Sequence, residues 1–322
     1  MKPLSALYGA ATRIRNDLYD RGLLTAHRLK GPVVSIGNLA VGGSGKTPFL
    51  ILLGELLQQR GITFDVLSRG YRRETRGVAV VDPKGSPRDF GDEPLLIARK
   101  LGVHVIVGED RYQAGAMAEA TFGPQLHLLD DGFQHRQLAR DFDIVLVTPG
   151  DAQDSLLPSG RLREPLASLA RADAIVVTND TSENGLGLRN QLVWHVHRDI
   201  APPETLEPWF AFCGIARPES FFQQLEAAQV VLAGTRAFSD HHRYTAEDVD
   251  ELQRLRQQAA APAFVTTEKD AVNLVGHLEA LQPIHVARVH MELQDADAAL
   301  DAMLAAVERK RMQRETIYPS SS

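Results

Sequence analysis

The chain has 322 residues, 44% of them hydrophobic and 24% charged, which is the composition of a globular protein with a core large enough to need no staples. Its 35 Lys and Arg stand against 41 Asp and Glu, and the formal charge of −6 argues against a general nucleic-acid binder. A single cysteine, Cys213, rules out an intrachain disulfide and a cysteine-based zinc site and fits a reducing compartment.

Residues 3–21 carry Leu4, Leu7, Ala11, Ile14 and Leu18 at helical spacing on one side, with Tyr8 at the edge and Arg13, Asn16 and Asp20 opposite. Arg15 and Arg21 flank the stripe, where long stems snorkel. Periodicity alone favours a helix packed on its own domain. The alternative is a helix lying in a membrane interface with its basic side chains near anionic headgroups. Residues 1–30 hold Lys2, Arg13, Arg15, Arg21, Arg28 and Lys30 against Asp17 and Asp20, a net +4 that leaves −10 for the rest. No apolar run approaches the roughly eighteen residues of a membrane span, and no secretory signal is expected.

From residue 33 onward, short Val/Ile/Leu runs alternate with helical patterns. Strands are predicted at 33–36, 64–68, 103–107, 126–129, 144–147 and 174–178, with helices at 47–59 and 93–100. Runs without polar alternation suit parallel strands buried on both faces, so the rhythm predicts an α/β fold with a doubly wound parallel sheet. Ser, Asn and Gly over 181–190 mark a loop, and a boundary is expected near 181–203. Residues 1–190 then form the amphipathic helix plus the main core. Residues 191–322 form a second, smaller α/β domain with a strand at 193–197, a connector at 201–204, strands at 230–232 and 263–266, and a final helix at 295–312. That helix starts acidic and ends basic, in keeping with its dipole. The tail 318–322 is expected to fray.

The first strand runs into Gly37-Asn38-Leu39-Ala40-Val41-Gly42-Gly43-Ser44-Gly45-Lys46-Thr47-Pro48. Gly42, Gly43, Ser44 and Gly45 let backbone N–H groups wrap an anion. Lys46 reaches β- and γ-phosphates, the Thr47 hydroxyl suits magnesium, and Pro48 completes the loop at the start of the helix. The strict pattern asks for glycine where Ala40 stands, and Gly42 and Gly43 supply the flexibility instead. Nucleotide binding outweighs a structural glycine turn, and the expected fold is P-loop NTPase-like. The run at 126–129 ends in Asp130-Asp131-Gly132-Phe133-Gln134-His135. A carboxylate at the end of a buried parallel strand faces the ligand crevice and holds magnesium beside a phosphate loop. Either aspartate is a candidate, and a solvated Asp-Gly turn is the alternative.

Further stretches follow in order: Ser68-Arg69-Gly70-Tyr71, Gly91-Asp92-Glu93-Pro94, Leu162-Arg163-Glu164-Pro165, Phe212-Cys213-Gly214-Ile215-Ala216-Arg217-Pro218, Phe238-Ser239-Asp240-His241-His242 and Thr266-Thr267-Glu268-Lys269-Asp270. With the two motifs above, they make the chain resemble the tetraacyldisaccharide 4′-kinase family of the lipid A pathway over most of its length. The resemblance implies an ATP- and Mg2+-dependent kinase that passes the γ-phosphate to the 4′-hydroxyl of a tetraacylated glucosamine disaccharide 1-phosphate. It implies a peripheral protein on the cytoplasmic face of the bacterial inner membrane, embedded in an anionic surface through residues 3–21. No nucleic acid and no obligate protein partner are expected.

The resemblance also places the catalytic base on Asp92, paired with His241; by itself Asp92 reads as a helix N-cap. Arg163 is the expected clamp on ATP. Arg111 is expected at the lipid's 1-phosphate, with Gln134 and His135 on the substrate side. A lone Arg is more often a surface ion-pair partner. Lys269 and Asp270 fit a turn or a site contact equally well, His242 is a neighbour contact or surface, and Cys213 is a small core residue. The competing class is a P-loop GTPase or metallochaperone switch. Neither Val177-Thr178-Asn179-Asp180 nor Thr267-Glu268-Lys269-Asp270 has the Asn-Lys-x-Asp order of a guanine reader. A soluble small-molecule kinase on the same fold is the third alternative.

Overall fold

The computed structural model describes residues 2–178, 181, 183–201, 203 and 207–317. Its strands are β1 (Val33–Asn38), β2 (Phe64–Ser68), β3 (Ala79–Val80), β4 (Val105–Val107), β5 (Leu126–Asp130), β6 (Phe142–Val147), β7 (Ala174–Thr178), β8 (Leu192–Ala201), β9 (Trp209–Cys213), β10 (Leu232–Ala237), β11 (Ala263–Thr267) and β12 (Ile284–Leu293). Its helices are α1 (Lys2–Asp20), α2 (Lys46–Gln59), α3 (Pro87–Phe90), α4 (Asp92–Leu101), α5 (Arg111–Phe122), α6 (Pro218–Ala227), α7 (Ala246–Gln258), α8 (Glu268–Asn273) and α9 (Ala296–Ile317). The expected connector at 201–204 lies partly, and the tail at 318–322 wholly, outside the described residues.

Every residue of β1, β2 and β6 is buried, because helices cover both faces of the sheet. Alternate residues divide between the two sides. Val34, Ile36, Val66 and Leu128 pack toward Leu50 and Leu53 of α2 and Leu95 of α4. Val33, Leu67, Ile106 and Leu129 pack toward Ala114 and Ala118 of α5. Among the described residues the strand order is β10-β9-β11-β12-β8-β7-β6-β1-β5-β2-β4-β3. Neighbours from β8 through β4 are parallel, and so are those from β10 through β12. The two parallel blocks meet at an antiparallel β8–β12 pair, and β3 adds an antiparallel edge.

The register decides where these blocks stand. Residues 192–196 of β8 pair with β7, but β8 runs on to Ala201, and its residues 196–201 pair with 293–288 of β12. The other end of β12, residues 284–287, pairs with 264–267 of β11. The second block therefore stands beyond the carboxyl edge of the first, end to end and inverted. The carboxyl ends of both sets of strands face one cleft, lined by Ser68 and Asp130 from one block and Thr267 and Lys269 from the other.

A division at residues 190/191 groups the last helix with the second block, whereas α9 packs on the first. Leu300, Met303 and Val307 share a core with Phe49, Phe142 and Trp194. Lys310 Nζ lies 3.1 Å from Asp173 Oδ1, and Arg60 pairs with Asp297 and Asp301. Because β12 runs antiparallel to β8, it carries the chain back to the first block before α9 begins.

The apolar stripe of α1 does not pack on the protein. Leu4, Leu7 and Ile14 are 59%, 68% and 61% exposed, while Gly9, Thr12 and Asn16 on the other side are buried. The helix does rest on its own domain, but through its small and polar face.

Near the amino ends of β2 and β5, His127 and Asp65 are fully buried. His127 Nδ1 is 2.7 Å from Asp65 Oδ1, and Nε2 is 3.4 Å from Glu119 Oε1. Burial opposes the imidazolium, but the two carboxylates outweigh it and raise the histidine's pKa. A raised folded-state pKa gives stability that is complete below the unfolded value and lost as pH rises through the folded one. His127→Gln is expected to cost on the order of 3 kcal/mol in mildly acidic buffer, where a buried pair is broken, and less in alkaline buffer. Equal losses in urea denaturation at both pH values would show that the ring carries no charge.

Candidate active site

The phosphate loop is built from the end of β1 and the start of α2. Leu39 and Ala40 are buried, and this stretch pairs with the chain near Leu162: Arg163 N donates to Leu39 O at 2.7 Å, and Val41 N to Arg161 O at 2.8 Å. Ala40 is thus extended backbone, which needs no glycine, and the turn begins only afterwards. Gly42 and Gly45 have φ of 94° and 84°, a region costly for other residues. Gly45 precedes α2, so the first amides of a 14-residue helix open onto the loop.

Lys46 reaches back across this turn. Its Nζ donates to Asn38 Oδ1 at 3.1 Å and lies 3.4 Å from Asp131 Oδ1. Arg163 grips Asp131 with a two-pronged fork, Nη1 to Oδ2 at 2.9 Å and Nη2 to Oδ1 at 2.8 Å, and also donates to Asn38 Oδ1. Asn38 is fully buried, and its own Nδ2 donates to Ala40 O at 2.7 Å. Sequence reasoning gave Asn38 no role, although it stands inside the glycine motif.

The two aspartates after β5 differ sharply. Asp130 ends the strand and accepts from Ser68 Oγ at 2.8 Å. Burial, with the Glu93 and Asp131 charges nearby, pushes its carboxyl up to about 7. For Asp131, burial works in the same sense, but Lys46 and Arg163 outweigh it and hold the carboxyl below the usual range.

At the far side, Asp92 is the first residue of α4 and is 4% exposed. The N-cap position is Gly91, and Asp92, one residue on, accepts from the first-turn amide of Glu93 at 2.9 Å. His241 Nδ1 lies 2.8 Å from Asp92 Oδ2 and 3.0 Å from Oδ1, and Asn273 Nδ2 donates to Oδ2 at 3.0 Å. Lys269 Nζ stands 3.1 Å from His241 Nε2 and 3.2 Å from Asp240 Oδ1. An ammonium only donates, so Nε2 is the accepting nitrogen and Nδ1 carries the proton given to Asp92. Burial would raise the Asp92 carboxyl, but the His241 hydrogen bond, the Lys269 charge and Asn273 bring it down to about 2.

Asp270 sets the loop that carries His241. It accepts from Gly214 N at 2.8 Å and Tyr244 Oη at 2.8 Å, and Thr267 Oγ1 stands 2.6 Å from its other oxygen. Lys269 and Asp270, open at the level of sequence, are therefore both tied to the site. His242 pairs with Asp248 at 2.9 Å, and Cys213 is buried, its thiol pushed up by burial and by Asp270.

Between the two groups lies a cleft of about 990 Å³, lined by Gly42–Thr47, Asp130, Asp131, Arg163, His241 and Lys269. Asp92 opens instead onto an adjoining cavity of about 220 Å³ that shares Tyr71 and His241 with the cleft. Arg111, Gln134 and His135 line neither cavity. Gln134 Nε2 donates to Asn38 O at 3.0 Å, and Arg111 is 6% exposed and donates to Glu109 O at 2.8 Å. Burial, with the Arg111 and Arg140 charges, brings His135 down to about 4, so the ring is neutral near pH 7.

Cations and amides gathered at one end, with an ionised carboxylate braced by histidine at the other, suit transfer of a phosphoryl group to an alcohol. The fold and the site are those of a P-loop kinase. The chain belongs to the family described as tetraacyldisaccharide-1-P 4′-kinase, LpxK, whose family model matches residues 1–308. A tetraacyldisaccharide 4′-kinase of Koribacter versatilis (strain Ellin345) is 52% identical over 321 residues, 97% of this chain and 100% of its own. One from Aquifex aeolicus (strain VF5) is 36% identical over 292 residues, 85% of this chain and 89% of its own. A crystal structure of LpxK from Aquifex aeolicus in complex with ATP matches with a TM-score of 0.78 and 32% identity, over 95% of this chain and 98% of that one. The switch alternative lapses with these findings. Lys269 and Asp270 are committed to His241 and Gly214 rather than to a base, and Asn179 and Asp180 lie outside the described residues.

Proposed function

We propose that this kinase transfers the γ-phosphate of ATP to the 4′-hydroxyl of a tetraacyldisaccharide 1-phosphate. The observation that carries the reading is that the Lys46–Asp131–Arg163 group and His241 line one cleft, with Asp92, held by His241, in the adjoining cavity. The loop amides and the start of α2 hold the triphosphate, and Lys46 and Arg163 stabilise charge that develops on its oxygens. An Asp92 oxygen takes the proton of the attacking hydroxyl. His241, held between Lys269 and Asp92, keeps that carboxylate aimed. On the lipid side Arg111 is the proposed partner of the 1-phosphate. It stands beside Arg69, whose charge helps burial lower its pKa, and two adjacent cations suit a phosphate dianion. Gln134 and His135 are proposed on the same side.

Magnesium fits beside the loop. Asp130 Oδ1 is buried without a hydrogen-bond partner among the described residues, whereas Asp131 is turned to Arg163 and Lys46. Asp130 and the Thr47 hydroxyl would hold the ion together with phosphate oxygens, and it would supply neutralising charge there. Transfer of label from γ-labelled ATP to the disaccharide lipid, followed by the mobility of the product, tests the reaction. GTP hydrolysis without acceptor labelling, or transfer to a water-soluble sugar without detergent, would replace the reading.

The proposed seat of the protein rests on α1. Among the described residues no helix is long and apolar enough to cross a membrane. The outward Leu4, Leu7 and Ile14, with Leu23 and Leu24 exposed just past the helix end, support an interfacial seat, which we assign to the cytoplasmic face of the bacterial inner membrane, with Arg13 and Arg21 toward anionic headgroups and Arg15 3.7 Å from Glu164. Leu7→Glu combined with Ile14→Glu is expected to lower co-sedimentation with anionic vesicles by about tenfold and to leave ATP binding unchanged. Undiminished co-sedimentation would reduce α1 to a packing helix.

A further inference from the structure

The inner face of α1 lands on the segment 155–165 and, toward the helix's end, on Arg136, which donates to Asn16 O at 2.9 Å and to Asp20 Oδ1 at 2.7 Å. Ser5 Oγ donates to Ser159 Oγ at 2.7 Å. A Cβ on Gly9 would stand 2.7 Å from Leu156 Cδ1, so the helix backbone lies close against this segment. Tyr8 Oη donates to the Arg163 carbonyl at 3.0 Å, and Asn16 Nδ2 donates to Glu164 Oε2 at 2.7 Å. Glu164 is fully buried and is held on its other side by Arg171, Nη1 at 2.9 Å and Nη2 at 3.3 Å.

This segment has no helix or strand of its own, only isolated bridges at Leu156 and Leu162. Its path is set by what it bonds to. Arg163 is therefore held at both ends: its carbonyl by a side chain of α1, its guanidinium by Asp131 and Asn38 in the phosphate site. A helix that served only as an anchor would be seated well enough by apolar or small residues. Burying an asparagine against a carboxylate is unfavourable unless the bond is made in one geometry, and a bond of that kind fixes direction as well as distance.

We infer that Tyr8 and Asn16 are positioning residues for Arg163: the seating of α1 sets where this guanidinium stands against Asp131 and the phosphates. The helix that turns its apolar stripe outward thus also adjusts the phosphate site from its inner face. This rests on the reading of Arg163 as a cation of that site.

The test uses the full-length kinase with ATP and the disaccharide lipid. Asn16→Ala is expected to lower kcat about tenfold and to change the KM for ATP by less than about twofold. Tyr8→Phe removes a single hydroxyl and keeps the ring, so it reports the same loss in smaller measure without unpairing Glu164. Asn16→Gln, which retains the amide donor, restores part of the rate. Co-sedimentation with anionic vesicles stays at the wild-type level in all three, because the outer stripe is untouched. A double-mutant cycle with Arg163→Ala carries the decision: once Arg163 is gone, Asn16→Ala adds no further loss. Equal losses with and without Arg163, or an unchanged kcat in both Asn16→Ala and Tyr8→Phe, would overturn the inference. An unchanged kcat in Arg163→Ala itself would overturn it too, and would locate the failure in the role given to Arg163.

Discussion

Lys46→Ala is expected to lower kcat by at least about 10³-fold, the scale on which removal of one preorganised charge at a phosphoryl-transfer site is felt. The side chain does two things at once. Its ammonium bridges Asn38 Oδ1 and Asp131 Oδ1 at the mouth of the loop, and it is the leading cation among those holding the Asp131 carboxyl below its usual range. Without it, Arg163 alone faces Asp131, and Asp130 loses one of the charges that offset its burial. The loop then presents no uncompensated positive charge to a polyanion. Single-turnover transfer of labelled phosphate measures the loss directly, and thermal unfolding checks that the variant is folded. A near-normal kcat would remove the phosphate loop from the mechanism.

Asp92→Asn is expected to lower kcat by about 10²–10⁴-fold, the usual effect of losing a general base. Asparagine keeps an oxygen for the Glu93 amide, which Asp92 Oδ1 accepts at 2.9 Å, but its NH2 replaces the oxygen that accepts from His241 and Asn273, so thermal unfolding is measured beside kcat to show that the variant is folded. The companion variant tests how the carboxylate is kept ready. The His241 hydrogen bond lowers the Asp92 pKa, so His241→Ala raises it. Because the ionised carboxylate is the active form, the acid limb of the kcat/KM profile moves to higher pH. An acid limb that stays in place in His241→Ala would detach the histidine from the base.

The phosphate loop was legible because its parts are contiguous: a buried strand, Gly42 to Gly45, Lys46, then a helix. The basic pair was not, since Asp92 and His241 are 149 residues apart and meet only because the second block is inverted over the first. Only family resemblance joined them; it left Lys269 open between a turn and a site contact and gave no role to Asn273, and these two finish the arrangement. Unbroken apolar runs marked β1, β2 and β7 but concealed β12, whose residues alternate between exposed and buried, His290 against Met291 and Glu292 against Leu293. Periodicity found the stripe on α1 and not its direction, because the inner face is chosen by Glu164 and Leu156, far along the chain.

The end-to-end arrangement mounts the phosphate loop and Asp92 on one block and His241, which braces that carboxylate, on the other, the two joined through the ladder between residues 196–201 and 293–288. That ladder is also a wall of the cleft, with Arg198 and Met291 facing the nucleotide end beside Gly45. A nucleotide held by the loop would therefore lie against the joint itself, and loading the donor would press on the same ladder that sets how His241 meets Asp92.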